Sequence, residues 1–463
     1  LGFLLLVKTA SLAIGNNEYI LRLFPFVFGL GSLFLFYRLV RKINDKALTA
    51  ISLGFFAFCP SLIYYSAELK QYSCDLFFGL VLSLIFIDLV YESINIKKAV
   101  FLAFLGAVVV WISNATLFIL AGFSIAIFLL ALEKKQLKNL AYLVFAYALW
   151  AVSFWFLYRC ALSNMVTNEY LFQSWPGALL EHSLLSKEGL AWLGKIFLAM
   201  FADPLDFSLT GTAFIFFILG VVALWREKRQ SALVFFFPIF VTLLAAVLHK
   251  YPFRGRLLLF LFPAVSIFVI KGMLELTRKI KKEFSFGILV ALSLVLFADP
   301  LLKSAQGLVK DYCRQDNREA MEFLNSQYKP GDFVFMNSAA QFPFWYYGSR
   351  LKMARFFEQT WAGRENGVIK KGVKIGKFWE GSRRINGRNC LLFRYEFNFY
   401  NENYCYVKSL IKTTLTPEDI SLVIEGFPFN HPVEGKRVWI VLGDSWPLFE
   451  KVVTGSFGLR FPK

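Results

Sequence analysis

Histidine is nearly missing from this chain, with three among 463 residues, and there are only six cysteines. Neither type recurs at the spacings that hold zinc, and no Walker loop or dinucleotide glycine fingerprint is present. Those absences leave no written site for a structural metal or a soluble nucleotide. Charge is also scarce, at 18% of residues, and acidic residues are scarcer still: 32 Asp and Glu against 50 Lys and Arg, for a net +18. No internal repeat and no low-complexity tract breaks the chain. Cys59 and Cys74 fall near one membrane face, while Cys313, Cys390 and Cys405 fall in the last third. An oxidising compartment would permit a disulfide among those three, but spacing alone does not pair them.

What the chain has in abundance is apolar surface. Hydrophobic residues make up 57% of it, and phenylalanine alone contributes 54. Mean hydropathy is +0.54. This is the composition of an integral membrane protein, for which lipid headgroups and membrane orientation explain the basic excess better than nucleic acid does. The opening stretch from Leu1 to Ile14 is interrupted by Lys8, Thr9 and Ser11 and is short for a span. It lacks the basic start and small-residue cleavage site of a signal peptide. We expect residues 1–19 to form an interfacial helix and outer loop, in a chain whose first span and true start lie upstream of Leu1.

A span needs roughly 20 apolar residues. About ten candidates follow, near residues 20–41, 47–66, 72–93, 98–113, 115–132, 139–159, 208–226, 231–249, 256–274 and 284–302. The pair meeting at Ser113-Asn114 reads either as two spans or as one broken hairpin. Basic clusters at Arg41-Lys42 and Lys46, Lys97-Lys98, Lys134-Lys135 and Lys138, Arg226 with Lys228-Arg229, and Arg278-Lys279 with Lys281-Lys282 fall at alternate ends of successive spans. The positive-inside rule makes that end cytoplasmic. The opposite face then holds residues 1–19, the turn at Glu68, the loop 160–207, the loop 249–255 and everything after about 304.

From there the composition turns polar. Residues 304–463 read as an extracytoplasmic α/β domain, large enough to bury a core of its own. An amphipathic helix is predicted over Asp316–Tyr328 and strands over Phe333–Met336 and Arg437–Leu442. A further helix opens at Thr416-Pro417-Glu418-Asp419, with an N-cap, a first-turn proline and acidic residues. Asp332, Trp345-Tyr346-Tyr347 and Asp444 are candidates for acceptor contact, with core and turn roles the plainer reading. The fold class is thus a polytopic all-α transmembrane bundle over residues 1–303, carrying this α/β domain.

Four constellations fall on the outer face. Tyr64-Tyr65-Ser66-Ala67-Glu68-Leu69-Lys70-Gln71-Tyr72 joins two apolar segments and places Glu68 and Lys70 where charge is costly unless paired, hydrated or liganded. It is otherwise a solvated loop. Glu18 and Arg22 share a helix face and can pair. His249-Lys250-Tyr251-Pro252-Phe253-Arg254-Gly255-Arg256 puts three cations on the face that the charge bias leaves poor. Forked arginine donors suit a phosphate, and snorkelling to headgroups is the plainer explanation. The loop 160–207 carries Asn168-Glu169-Tyr170, Gln173-Ser174-Trp175-Pro176 and Asp203-Pro204; its Trp and Gln side chains suit sugar or lipid contact, and an interfacial anchor is the plainer explanation of the tryptophan.

Together these motifs resemble the GT-C superfamily of glycosyltransferases. The likeness is to the family 39-like group of dolichyl-phosphate-mannose protein mannosyltransferases, aminoarabinose transferases and Rgt-type bacterial enzymes. It covers about residues 1–303. Gly15-Asn16-Asn17-Glu18 with Arg22-Leu23-Phe24-Pro25 is similar to the family's Gly-x-x-Glu and Arg-Leu-Pro segment, with one residue inserted. Pro60 through Tyr72 is similar to its Pro-x-x-x-Tyr-Tyr-x-x-Glu-x-Arg/Lys-x-Tyr, and Tyr251 to Arg256 with Phe262-Pro263 to its late Arg-Tyr and Pro helix.

The resemblance implies an inverting transfer of a sugar from a polyprenyl-phosphate carrier to an acceptor hydroxyl of a lipid, glycan or protein. It implies substrate contacts from Glu68, Lys70, Tyr72, Tyr251, Arg254, Arg256, Glu18 and Arg22. Lys70 and Arg256 are the first choices as cations for the departing phosphate, with Arg254 next. Glu68 would orient Lys70, hold a sugar hydroxyl or bind a divalent ion. The family's catalytic aspartate precedes the opening segment, and no residue here occupies that position. Two other readings remain open: a transporter or flippase of lipid-linked glycans, which would carry its charges near the bilayer midplane, and an inactive scaffold whose outer domain binds partners.

Overall fold

The computed structural model describes residues 2–309 apart from 44, 93–94, 134–136, 164–174 and 176, and beyond them residues 317–327, 346–347 and short strands between 333 and 441. Contacts divide the chain into two compact units, Leu1–Asp311 and Tyr312–Lys463.

The first unit is built of apolar helices: α1 Gly2–Ile14, α2 Glu18–Arg41, α3 Lys46–Phe58, α4 Pro60–Ala67, α5 Tyr72–Tyr91, α6 Ile96–Ile112, α7 Thr116–Glu133, α8 Leu137–Leu157, α9 Lys187–Ala202, α10 Thr210–Val247, α11 Phe262–Arg278 and α12 Lys282–Val309. Among the described residues, seven helical runs are long and apolar enough to cross a bilayer, or eight if the bent pair α3–α4 counts as one span.

Local chemistry sets the boundaries. Asn17 caps α2 by accepting from the Ile20 N–H at 2.9 Å, and Asp45 caps α3 by accepting from Leu48 at 3.0 Å. The α3–α4 bend of 51° falls at Cys59-Pro60, because proline at the first helical position brings no N–H and cannot continue the preceding helix. The Ser61 N–H freed at this break is bonded to Asp206 Oδ2 at 3.1 Å. The proposed turn at Ser113-Asn114 is real: α6 and α7 are separate helices on either side of it.

Two expected spans, near 208–226 and 231–249, form one helical element, α10, broken at Lys228, whose backbone leaves the helical region (φ −142°, ψ 66°). Its limbs fold back on one another. Phe268 meets Phe217 before the break and Phe235 after it, at 5.4 and 6.3 Å between rings. Phe197 of α9 likewise meets Phe214 at one end and Phe253 beyond the other. Both limbs pack around α11, which is almost wholly buried. The outer loop expected over 160–207 differs in holding α9, whose Gly189, Ile196, Met200 and Phe201 face inward. α1 rests Phe3 and Val7 on the bundle and exposes Leu4, Leu5, Leu12 and Ile14. α12 continues to Val309, through the 303/304 point where composition changes.

Polar contacts divide between the two ends of the helices as the charge bias leads one to expect. At the basic end, Lys42 bonds Asp88 at 2.6 Å, Arg229 bonds Glu133 at 2.7 Å, Lys98 bonds Glu92, and Arg278 bonds Asp45 at 2.7 Å. At the other end, Phe253 N–H donates to Ala178 O at 3.1 Å and Ser304 Oγ to Phe58 O at 2.7 Å.

The second unit contains helix α13, Asn317–Gln327, and strands β1 Phe333–Met336, β2 Arg364–Glu365, β3 Val368–Ile369, β4 Gly381–Ile385, β5 Arg388–Leu392, β6 Phe397–Asn401, β7 Tyr404–Val407 and β8 Val438–Val441. A mixed sheet has the order β6-β7-β1-β8, with β1 parallel to both neighbours. The helix expected at Thr416, and Asp332, Trp345 and Asp444, lie outside the described residues.

Candidate functional site

The turn between α4 and α5 is a tight knuckle. Lys70 N–H donates to Glu68 O at 2.7 Å, two residues back, and Ser73 Oγ donates to Tyr65 O at 2.6 Å. These bonds bring the Tyr65 and Tyr72 rings edge to face at 5.0 Å. Glu68 is half-buried and Lys70 exposed.

The loop after α10 approaches this knuckle from the other side. Tyr251 donates its hydroxyl to Leu257 O at 2.9 Å and packs against Phe118 at 4.5 Å. Burial pushes that hydroxyl well above its ordinary pKa, and the nearby Asp75 and Tyr72 add to the shift. Gly255 has φ +53°, and a Cβ there would stand 2.9 Å from Asp203 Oδ2. The loop therefore needs glycine both for its backbone and for the close approach of a carboxylate. A tighter helical turn, Gly255–Leu261, follows, and Pro263 sits in the first turn of α11.

Arg256 is carried on this turn. Its guanidinium lies 5.8 Å from the Tyr72 ring centroid and 5.2 Å from that of Trp175. Its Nε is buried and has no hydrogen-bond partner among the described residues. A cation at the N-terminal end of a helical run also works against the helix dipole. Half-buried, with its Nε unsatisfied and its charge opposed by the dipole, this guanidinium is suited to receive an anion.

Of the eight residues singled out from sequence, the structure gathers Tyr72, Tyr251 and Arg256. Glu68 and Lys70 stand on the adjoining knuckle. Arg254 is exposed beside Gly255, while Glu18 opens α2 and Arg22 lies exposed one turn along it. Sequence reasoning missed Asp75 and Ser113. Ser113 donates to Asp75 Oδ1 at 2.6 Å, and Asp75 is only 4% exposed, inside α5. The available signal was the Asp itself, an acidic residue within a span. Trp175, for which an interfacial anchor was the plainer expectation and sugar or lipid contact the other, has its ring 5.2 Å from the Arg256 guanidinium. Among the described residues no three His, Cys, Asp or Glu side chains converge as a metal cage.

No protein family matches this chain, and neither does any curated protein. Solved structures do match. The oligosaccharyltransferase of Archaeoglobus fulgidus in its apo form shares 13% identity, with 74% of this chain and 55% of that one covered at a TM-score of 0.41. Its complex with zinc and sulfate shares 13% identity over 76% and 52%, at 0.42. The chain thus spans about half the length of these structures. A likeness of that size carries no argument about residues or activity.

Proposed function

We propose that this chain is a membrane-embedded glycosyltransferase of the GT-C type, moving a sugar from a polyprenyl-phosphate carrier to an acceptor on the outer face. The observation that carries this reading is the partnerless, buried Nε of Arg256 between two aromatic faces. In the transfer, an acceptor oxygen attacks the anomeric carbon and gives up its proton to a general base. The bond from that carbon to the phosphate oxygen breaks, and its electron pair stays on the phosphate. Arg256 meets the charge that grows there. Lys70 and Arg254, both exposed nearby, draw the headgroup to the rim. Glu68, Tyr72 and Tyr251 border the sugar, with Glu18 and Arg22 at the approach. No base is assigned.

The opposite end of the bundle disfavours the transporter reading. Lys271, 1% exposed, bonds Glu227 at 2.6 Å and lies 3.7 Å from Asp45; Arg278 bonds Asp45 at 2.7 Å and Glu227 at 3.1 Å. This closed ring ties the start of α3, the α10 break and the end of α11 together. Alternating access would have to part it.

The test is binding of dodecyl phosphate to the full chain in nanodiscs, read by calorimetry. Arg256→Ala is expected to weaken binding about 10- to 100-fold, as loss of a charged hydrogen bond to phosphate does, with unchanged membrane insertion. Wild-type affinity in the variant overturns the reading. In proteoliposomes, translocation of a lipid-linked sugar without transfer would favour the transporter.

A further inference from the structure

Trp175 reaches Arg256 from a segment that belongs to no span, and α9 holds that segment in place. The Trp192 indole N–H, carried on α9, donates to Gly177 O at 2.9 Å. Ala178 N–H donates to Trp175 O at 3.1 Å, and Phe253 N–H to Ala178 O at 3.1 Å. Gly177 has φ +70°, while a Cβ there would meet open space, so the turn needs glycine for its backbone alone. Directly after it, Ala178, Leu179 and Leu180 are buried. The same helix braces the arginine loop: Phe197 of α9 stacks on Phe253 at 6.5 Å between rings, three residues before Arg256. One helix thus reaches both partners of the Trp175–Arg256 contact, the indole through Trp192 and the guanidinium through Phe197.

Resting on the lipid-phosphate reading above, we propose that Trp192 is a positioning residue of the anion site. Its bond to Gly177 O holds Trp175 against Arg256, so that the guanidinium is ordered before a phosphate arrives. The Trp175 ring centroid lies 5.2 Å from the guanidinium, and that of Tyr72 lies 5.8 Å from it. Without the indole, a half-buried arginine samples more rotamers and takes up more water, and binding must first undo both. Ordering in advance removes that cost, which for one long side chain is worth roughly two- to tenfold in affinity. In this arrangement Trp192 acts on the phosphate only through Trp175. Its indole N–H would otherwise bond water at the membrane surface, with no effect on the site.

The experiment is a double-mutant cycle on dodecyl phosphate binding, read by calorimetry with the full chain in phosphatidylcholine nanodiscs. Trp175→Ala is expected to weaken binding roughly two- to tenfold. Trp192→Phe keeps an aromatic ring in the packing and removes the N–H; it is expected to weaken binding by roughly twofold or more, up to the loss seen in Trp175→Ala. In the Trp175→Ala background the same change is expected to add nothing, because its route is already cut. Gly194→Ala, elsewhere on α9 where a Cβ meets open space, should bind as wild type. Wild-type affinity in Trp192→Phe, equal losses from it in both backgrounds, or a matching loss in Gly194→Ala overturns the proposal. If Arg256→Ala loses binding while both tryptophan variants bind as wild type, only the positioning fails. If Arg256→Ala binds as wild type, the lipid-phosphate reading fails as well.

Discussion

Lys271 donates to Glu227 across 2.6 Å from a position that is 1% exposed, whereas Glu227 is 42% exposed. The asymmetry decides which partner can be removed. Glu227→Ala leaves a buried ammonium with only Asp45 at 3.7 Å. We expect a loss of about 2 kcal/mol, below the usual range for breaking a buried pair because Glu227 is partly solvated. Lys271→Met leaves a glutamate that water and Arg278 still satisfy, and should cost less than about 1 kcal/mol. Thermal unfolding of both variants in detergent checks the order, and an equal loss in the two would contradict it.

Gly220 and Gly272 let α10 and α11 touch backbone to backbone. A Cβ on Gly220 would fall 1.7 Å from Phe268 O, and one on Gly272 1.9 Å from Phe216 O. Backbone cannot swing aside as a side chain can, so Gly220→Ala should cost about 3 kcal/mol. Gly54 has open space around it within α3. Gly54→Ala should be neutral or stabilise by up to about 1 kcal/mol through helix propensity. Melting temperatures of the two variants test the contrast.

Tyr251 gives the fold an alkaline limit. Its folded pKa is raised, chiefly by burial of the hydroxyl. The neutral form is therefore favoured in the folded protein, and the associated stability is whole below the unfolded value near 10. It is lost as pH climbs above that value towards the folded one. Tyr251→Phe should lower stability near neutral pH by about 1 kcal/mol, from the lost bond to Leu257 O. It should also flatten the decline between about pH 9 and 11. Unfolding midpoints across that window, wild type against variant, measure both effects; parallel curves would contradict the second.

Much of the bundle was legible because its signals are local. Apolar runs marked the helices, and the alternation of basic loops sorted their ends before any contact was known. Asn17, Asp45 and Pro60 are equally local cap or first-turn signals, but they went unread, and the expected single span 47–66 bends at Cys59-Pro60. The α10 break was harder to read. Arg226, Lys228 and Arg229 suggested a loop, yet the chain stays helical on both sides and reverses at one residue. The site was half legible. Tyr72 and Arg256 stood out because charge and aromatics interrupt apolar sequence. Trp175 did not, since tryptophan at a membrane surface needs no ligand to explain it. Asp75 was passed over because its partner, Ser113, looks like an ordinary turn residue until α5 and the α6–α7 turn are side by side.

The chain's own order of residues determined that it is a membrane bundle with a basic end and an end bearing aromatics, arginines and a few acids. Transfer of apolar side chains out of water and the cost of moving charge across lipid are properties of short segments, so they can be read along one dimension. Only the tertiary structure decided that Arg256 lies between Tyr72 and Trp175, and that Ser113 of the α6–α7 turn reaches Asp75 of α5. Those relations depend on which helices pack together. That choice is made by close approaches such as Gly220 on Phe268 and by loops folding over the bundle end, and neither leaves a periodic trace in the sequence.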